Sequence, residues 1–552
     1  MKCFKGLTAL ASVAALVAVL VLAGSGAAVA TTHQAGPATP KAASAATNNG
    51  REYGEKPECD DAGLLCAEVD DSQSVFPYYV GHDEPSNIFY SNTPGSGNRM
   101  RYQVTLPSDP PPIPIPGRSY NFMLHPTFWF GLALCDTQSY PEQVSTCPPD
   151  SDSNIATLQT HPGTAFMELQ FYPPGYVRQF TGFSCDAVNW CAAMAIFSLS
   201  EDPVAGTLLN DTCQRQILGG IEYTNFAYIT KSGVPQGPPG PKSFQFVGSG
   251  SPGPDVLYMR PGDHITVTLH DTAHGLQIDL SDSDTGQSGS MTASAANGFS
   301  QIQFAPTGSS CTEIPYDFHP MYSTASPQTR VPWAAHSYNV AFSDEIGHFD
   351  FCVAGLARNK GICHGLEGMP GDVERADIDD TFCFKASAST LVPVQACLGT
   401  NAPGFDGMSY QNVWPDGNLS MHPTPIQFTS PRTGANYDVN YDSSAFEADL
   451  PRIEAADFGG ACNRTTGAGC TKPPPTDDGA PATFYPFYST TSGPCRWIFG
   501  NDVPGLTAND YGKINQYGGL LKSTYLTFGG GGATVDRFNN FRNALGSNPC
   551  PA

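Results

Sequence analysis

Charge is scarce in this chain of 552 residues. Asp, Glu, Lys and Arg make up 14% of it, and 27 basic residues stand against 51 acidic ones, for a formal net charge of −24. A surface so short of cations repels nucleic-acid backbones and anionic lipid headgroups, so no nucleic acid is expected as a partner, and cations or neutral ligands are better matched. Long apolar runs are absent beyond the first 23 residues. Nothing later approaches the ~20 apolar residues that cross a bilayer, so no membrane insertion is expected once the N-terminal segment is removed. Also missing are a G-x-S-x-G elbow, an H-E-x-x-H pair, a phosphate loop and a dinucleotide fingerprint. Their absence removes the main support for serine-hydrolase, zincin and nucleotide-dependent chemistry. No C-x-x-C spacing occurs, which argues against thiolate metal sites.

What is present begins with an export signal. Lys2 and Lys5 precede an apolar run over 7–23, and Ala28-Val29-Ala30 has the small-x-small pattern of a cleavage site. The reading is a signal peptide over 1–30, a flexible leader over 31–52 and a secreted mature protein. The chain has 17 cysteines, of which Cys3 leaves with the signal. The remaining even number in an oxidising compartment reads as disulfides, with sequence neighbours such as Cys135 and Cys147, or Cys185 and Cys191, as the expected pairs. Sequons at Asn210, Asn418 and Asn463 mark surface loops if the host glycosylates.

Gly 57 and Pro 49, with 11% aromatics, describe many short strands joined by turns and little helix. The expected class is all-β, with two β-sandwich regions of cupredoxin- or jelly-roll-like type at 53–235 and 254–395. An irregular, disulfide-bearing C-terminal region follows at 396–552. Period-two alternation places Met100, Tyr102, Val104 and Leu106 on one face of a strand and Arg101, Gln103 and Thr105 on the other. Met167, Leu169 and Phe171 alternate likewise with Phe166, Glu168 and Gln170, and Ile265, Val267 and Leu269 with Thr266, Thr268 and His270. The last pattern resumes at Leu276, Ile278 and Leu280 after a turn at His274-Gly275. One helix is expected at 535–545, from apolar residues at 3-3-4 spacing. FHPMYSTAS at 318–326 echoes FYPFYSTTS at 484–492 at six of nine positions, which reads as chance or as a duplicated structural element.

Tyr258-Met259-Arg260-Pro261-Gly262-Asp263, leading into alternating β-branched residues, resembles the strand-opening phrase of cupredoxin-type domains over 255–355. The resemblance implies a β-sandwich and directs attention to histidines. His270, His274, His319, His336 and His348 are the candidate ligands of a copper or zinc site. Cys363-His364 through Met369 is similar to a blue-copper loop, but there the histidine follows the cysteine after a gap. The acidic tract Asp372, Glu374, Asp377, Asp379 and Asp380 is the calcium candidate. Carboxylates at Glu168, Glu345 and Asp350 are the candidate acid and base of a glycan-active hydrolase, which needs two of them facing one another. A carboxylate on a strand face is usually solvated. Three functions therefore stand: an extracellular binding protein with a cation, glycan or envelope ligand, a secreted hydrolase, and a non-catalytic envelope or extracellular structural protein.

Overall fold

The computed structural model describes residues 86–108, 120–122, 127–139, 163–172, 185–186, 188–200, 208–217, 222–244, 252–323, 331–338, 345–349, 405–409, 424, 426–449, 487–490, 495–499, 507–510, 521–525, 533–537, 540–545 and 547–550. These are mostly strand, in antiparallel sheets, so the chain is all-β. An eight-stranded sheet runs in spatial order Asn540–Leu545, Ser443–Asp449, Ser86–Ser91, Val331–Tyr338, Thr127–Asp136, Gly163–Tyr172, Cys191–Leu199 and Glu222–Tyr228. The path of a ten-stranded sheet runs Ser288–Thr292, Gly275–Asp282, His264–Thr272, Arg99–Thr105, Ile426–Phe428, Trp497–Phe499, Phe487–Thr490 and Thr507–Asp510. Arg432–Thr433 pairs with Arg99–Thr105 beside that path and with Val439–Asn440. Each sheet draws strands from all three sequence regions.

Period-two alternation explains why these segments face one another. Met100, Tyr102, Val104, Ile265, Val267, Leu269, Leu276, Ile278 and Leu280 are buried on the inner face of the ten-stranded sheet. They share one core with Phe128, Phe130, Leu132, Met167, Leu169, Met194, Ile196 and Trp333 of the eight-stranded sheet. Aromatic rings bridge the layers. Tyr102 lies 4.7 Å from Phe130 and 4.6 Å from Trp333, and Phe130 stacks on Trp333 at 5.2 Å. Each such pair is worth roughly 0.5–1.5 kcal/mol beyond the area it buries.

The Pro-Gly-Asp phrase acts as a turn. Gly262 takes a φ of +86°, open to glycine at little cost, and the Asp263 carboxylate accepts the Arg260 backbone N–H at 2.7 Å. The chain then enters His264–Thr272 and returns through Gly275–Asp282, as the alternation and the His274-Gly275 turn predict.

One expected element changes. The 535–545 segment contributes two strands, Ala533–Arg537 and Asn540–Leu545, and no helix. Pairing of the second with Ser443–Asp449 overrides a short apolar spacing that fits either element. The two echo segments take different structures: Phe487–Thr490 is a strand, whereas 318–323 is irregular and meets the eight-stranded sheet at an isolated Leu134–Pro320 bridge and through Met321 and Tyr322, which pack on Ala133 and Val331. Cysteines pair both near and far. Cys185–Cys191 is the expected neighbour bond, but Cys213–Cys311 and Cys495–Cys550 close 98 and 55 residues, and Cys135 is also bonded. Closing such long loops is worth about 4–5 kcal/mol in the chain-entropy model.

Asn210 is no surface acceptor. It is buried and caps the short helix Asp211–Gln216, accepting from Thr212 and Cys213 N–H at 3.1 and 3.0 Å, while its amide donates to the Ser310 carbonyl. Among the described residues no helix is long and apolar enough to cross a membrane.

Candidate functional site

The inner faces of both sheets are consumed by packing, so chemistry must sit on outer faces or at sheet ends. On the ten-stranded sheet, four adjacent strands present an open outer face. Their register lines up three rows: Arg99, His270, Gln277 and Thr292; Arg101, Thr268, Asp279 and Ser290; and Gln103, Thr266, Ser281 and Ser288. All twelve are exposed or half-buried, and none is apolar. With strands ~4.8 Å apart and same-face residues ~6.7 Å apart, the patch measures roughly 14 by 13 Å.

The patch is cross-linked within itself. Arg101 Nε donates to Thr268 Oγ1 at 3.2 Å, Thr292 Oγ1 to Gln277 Oε1 at 3.3 Å, and Gln277 Nε2 to Asp279 Oδ1 at 2.8 Å. His270 Nδ1 lies 3.4 Å from the other Asp279 oxygen. These bonds fix rotamers while leaving lone pairs and N–H groups pointing outward.

A hairpin borders the patch. Arg432–Thr433 pairs with Val439–Asn440, and Arg432 sits directly across from Arg101. Thr433 Oγ1 donates to the Arg99 carbonyl at 2.7 Å, and Arg99 returns a bond to the Ala435 carbonyl at 3.1 Å. The loop holds Tyr437 at a φ of +56°, the one positive value at a non-glycine among the described residues. That left-handed backbone carries a cost of order 1 kcal/mol or more and aims the ring at the sheet. Arg101 lies 4.0 Å and Arg99 5.7 Å from the ring centre.

The sequence-predicted histidines are dispersed. His270 is on the patch, and His274 is exposed in the adjoining turn. His319 is buried at the end of the core, with Nδ1 2.8 Å from Asp271 Oδ1, also buried. His336 lies on Val331–Tyr338 of the other sheet, in register with Trp129 and Ser86, and His348 is in a separate three-stranded sheet opposite Asp406 and Asn121. Among the described residues one group has the spacing to hold a metal: Asp263, Asp282 and Asp284, with carboxylate oxygens within 4.8 Å. An oxygen-only set suits a hard cation. Each member is already engaged. Asp263 is paired with Arg260 at 3.1 Å, Asp282 accepts from the N–H groups of Asp284 and Thr285, and Asp284 accepts from the His264 N–H at 2.7 Å. That backbone bond, with the His264 ring, holds the Asp284 carboxyl below its ordinary value. Cys363, the 372–380 tract and Asp350 lie outside the described residues.

The carboxylates are likewise separated in the fold. Glu168 is on Gly163–Tyr172 in the eight-stranded sheet and Glu345 on Glu345–Phe349 in the three-stranded one. Glu168 is fully buried, against the solvated face that alternation implies. Gln170 Nε2 donates to its carboxylate at 2.5 Å, and the Tyr172 hydroxyl donates to Gln170, so three same-face residues form an internal relay. Asp136, at the end of its strand, is also buried and accepts from Gln138 N–H at 2.8 Å and from Gln301. Burial pushes its carboxyl above the ordinary 3.8.

Sequence reasoning found the polar faces of the single strands but not the patch, because Arg99–Thr105 and His264–Thr272 are more than 150 residues apart. Tyr437 carried no periodic signal at all. Compared with known proteins, the chain matches no family model and no curated protein, so a functional reading rests on the site's own geometry.

Proposed function

We propose that this is a secreted, disulfide-stapled binding protein that recognises a glycan on the open face of the ten-stranded sheet. The single observation carrying the reading is the twelve-residue polar array held in register over four strands. Sugar hydroxyls both donate and accept, and the array offers both: hydroxyls of Thr and Ser, amides of Gln103 and Gln277, the Asp279 carboxylate and the His270 ring. Its shallow, flat form fits an extended polymer better than an enclosed small molecule, and sheet faces of other β-folds bind oligosaccharides in this way. The N-terminal export pattern and the disulfides support an extracellular setting.

The test is retention of the full mature chain on immobilised polysaccharides, with Gln277→Ala and Asp279→Ala as variants. Binding by wild type and a loss of about tenfold in each variant, roughly 1.4 kcal/mol, is expected at unchanged thermal midpoint. If no polysaccharide is retained, or the variants bind like wild type, the reading fails.

A further inference from the structure

Within an acidic chain, the border of the patch is locally cationic. Arg99 and Arg101 lie two residues apart on one strand face, Arg432 is in register beside Arg101, and Arg496 reaches Gln103 Oε1 at 3.5 Å. Two other arginines of the described residues are neutralised: Arg215 by Asp211 at 3.3 Å and Arg260 by Asp263 at 3.1 Å. Among the described residues Arg99, Arg101 and Arg496 have no carboxylate partner. Their contacts are the Ala435 carbonyl, the Thr268 hydroxyl, the Gln103 amide and the Tyr437 ring. With 51 acidic residues available against 27 basic ones, two exposed guanidinium groups and a half-buried third without a carboxylate partner among the described residues are conspicuous.

Tyr437 gives the cluster its geometry. Stacking occupies the flat face of the Arg101 guanidinium and stiffens it, while N–H groups along its edge stay available. A planar fork of N–H donors matches the two oxygens of a carboxylate or a sulfate, and charge assistance makes such bonds about twice as strong as neutral ones. The twelve-residue array beside it supplies the partners for hydroxyls.

From this juxtaposition we infer that the ligand is an anionic glycan, whose carboxylate or sulfate groups seat on Arg99, Arg101 and Arg496 while its hydroxyls lie on the adjoining rows. The inference rests on the glycan-binding reading and names the class of glycan. The chain's overall negative charge then acts as a filter: a polyanion is repelled elsewhere and accepted only at this border, so binding weakens steeply with salt.

The experiment compares the full mature chain on polygalacturonate, dextran sulfate and uncharged dextran at low and moderate salt, with Arg99→Gln/Arg101→Gln, Arg496→Gln and Arg101→Lys variants. Wild type is expected to bind at least one of the two polyanions ten times or more tighter than dextran, and to lose that preference as salt rises. The double variant and Arg496→Gln should each reduce polyanion affinity by a much larger factor than dextran affinity, and Arg101→Lys should recover the polyanion preference only in part. If dextran binds as tightly as both polyanions, the anionic inference fails and the glycan reading survives. Polyanion binding untouched by every arginine variant also overturns the inference. No binding to any of the three, from protein with a wild-type thermal midpoint, overturns it as well, and the broader polysaccharide panel then decides the parent reading.

Discussion

The outer faces of the two large sheets are built on different principles. On the eight-stranded sheet the outer face is buried: Ile88, Trp129, Glu168, Gln170, Ala193, Ala195, Phe197 and Thr224 are almost inaccessible. Two of its strands, TFWFGLALCD and CAAMAIFSL, accordingly read as near-continuous apolar runs, whereas GTAFMELQFY alternates. On four strands of the ten-stranded sheet the outer face is wet, and the sequences alternate cleanly. The contrast shows that polar residues mean different things on the two faces. Glu168 and Gln170 sit on a buried surface and bond through one Glu168 oxygen, so removing Gln170 takes a donor from that buried oxygen. Thr266, Thr268 and Gln277 are only half-buried, where they cost little, and Thr268 and Gln277 bond within the patch.

The contrast is open to direct attack. The largest effect is expected at Trp333, which is fully buried and packs on Phe130, Tyr102 and Phe89. Trp333→Ala should cost about 3–5 kcal/mol in denaturant unfolding, whereas Thr268→Ala on the open face should change stability by no more than about 0.5 kcal/mol. Similar costs at the two positions would break the comparison.

A smaller loss is expected at Gly131. A methyl group there would overlap the Met167 carbonyl oxygen and press on the Phe166 ring. Gly131→Ala should destabilise by about 1–3 kcal/mol through overpacking, read as a lower unfolding midpoint. An unchanged midpoint would mean that the outer face of this sheet is looser than its burial implies.

The smallest effect concerns pH. Burial raises the Asp136 carboxyl above 3.8, so folding favours its protonated form. The stability this contributes is complete below the unfolded value of 3.8 and is lost as pH rises through the higher folded value. Asp136→Asn removes the titration while keeping an oxygen for Gln138 and Gln301. The difference between wild type and variant in unfolding free energy should therefore decline from pH 3 upward and level off, a trend that a solvent-exposed carboxyl would not produce.

Much of this was legible in the chain. The alternation at 100–106 and 265–280 identified strands, their inward faces and the turns at Gly262 and Gly275, because side-chain direction in a strand depends only on local backbone geometry. The all-β class followed from composition for the same local reason. Glu168 shows where that reasoning stops. Its strand alternates as clearly as Arg99–Thr105 does, yet one polar face is covered and the other is open, and no local signal separates them.

What the sequence determined by itself was the strands with clear period-two alternation, which side of each is apolar, and an excess of acidic residues over basic ones. Tertiary structure decided which strands became neighbours, pairing Arg99–Thr105 with His264–Thr272 and seating the Tyr437 hairpin beside them. It also decided which histidines and carboxylates stayed apart. The reason is physical: alternation is set by the backbone within a few residues, while pairing across 150 residues is set by which apolar faces can close a common core, and the recognition patch is a by-product of that closure.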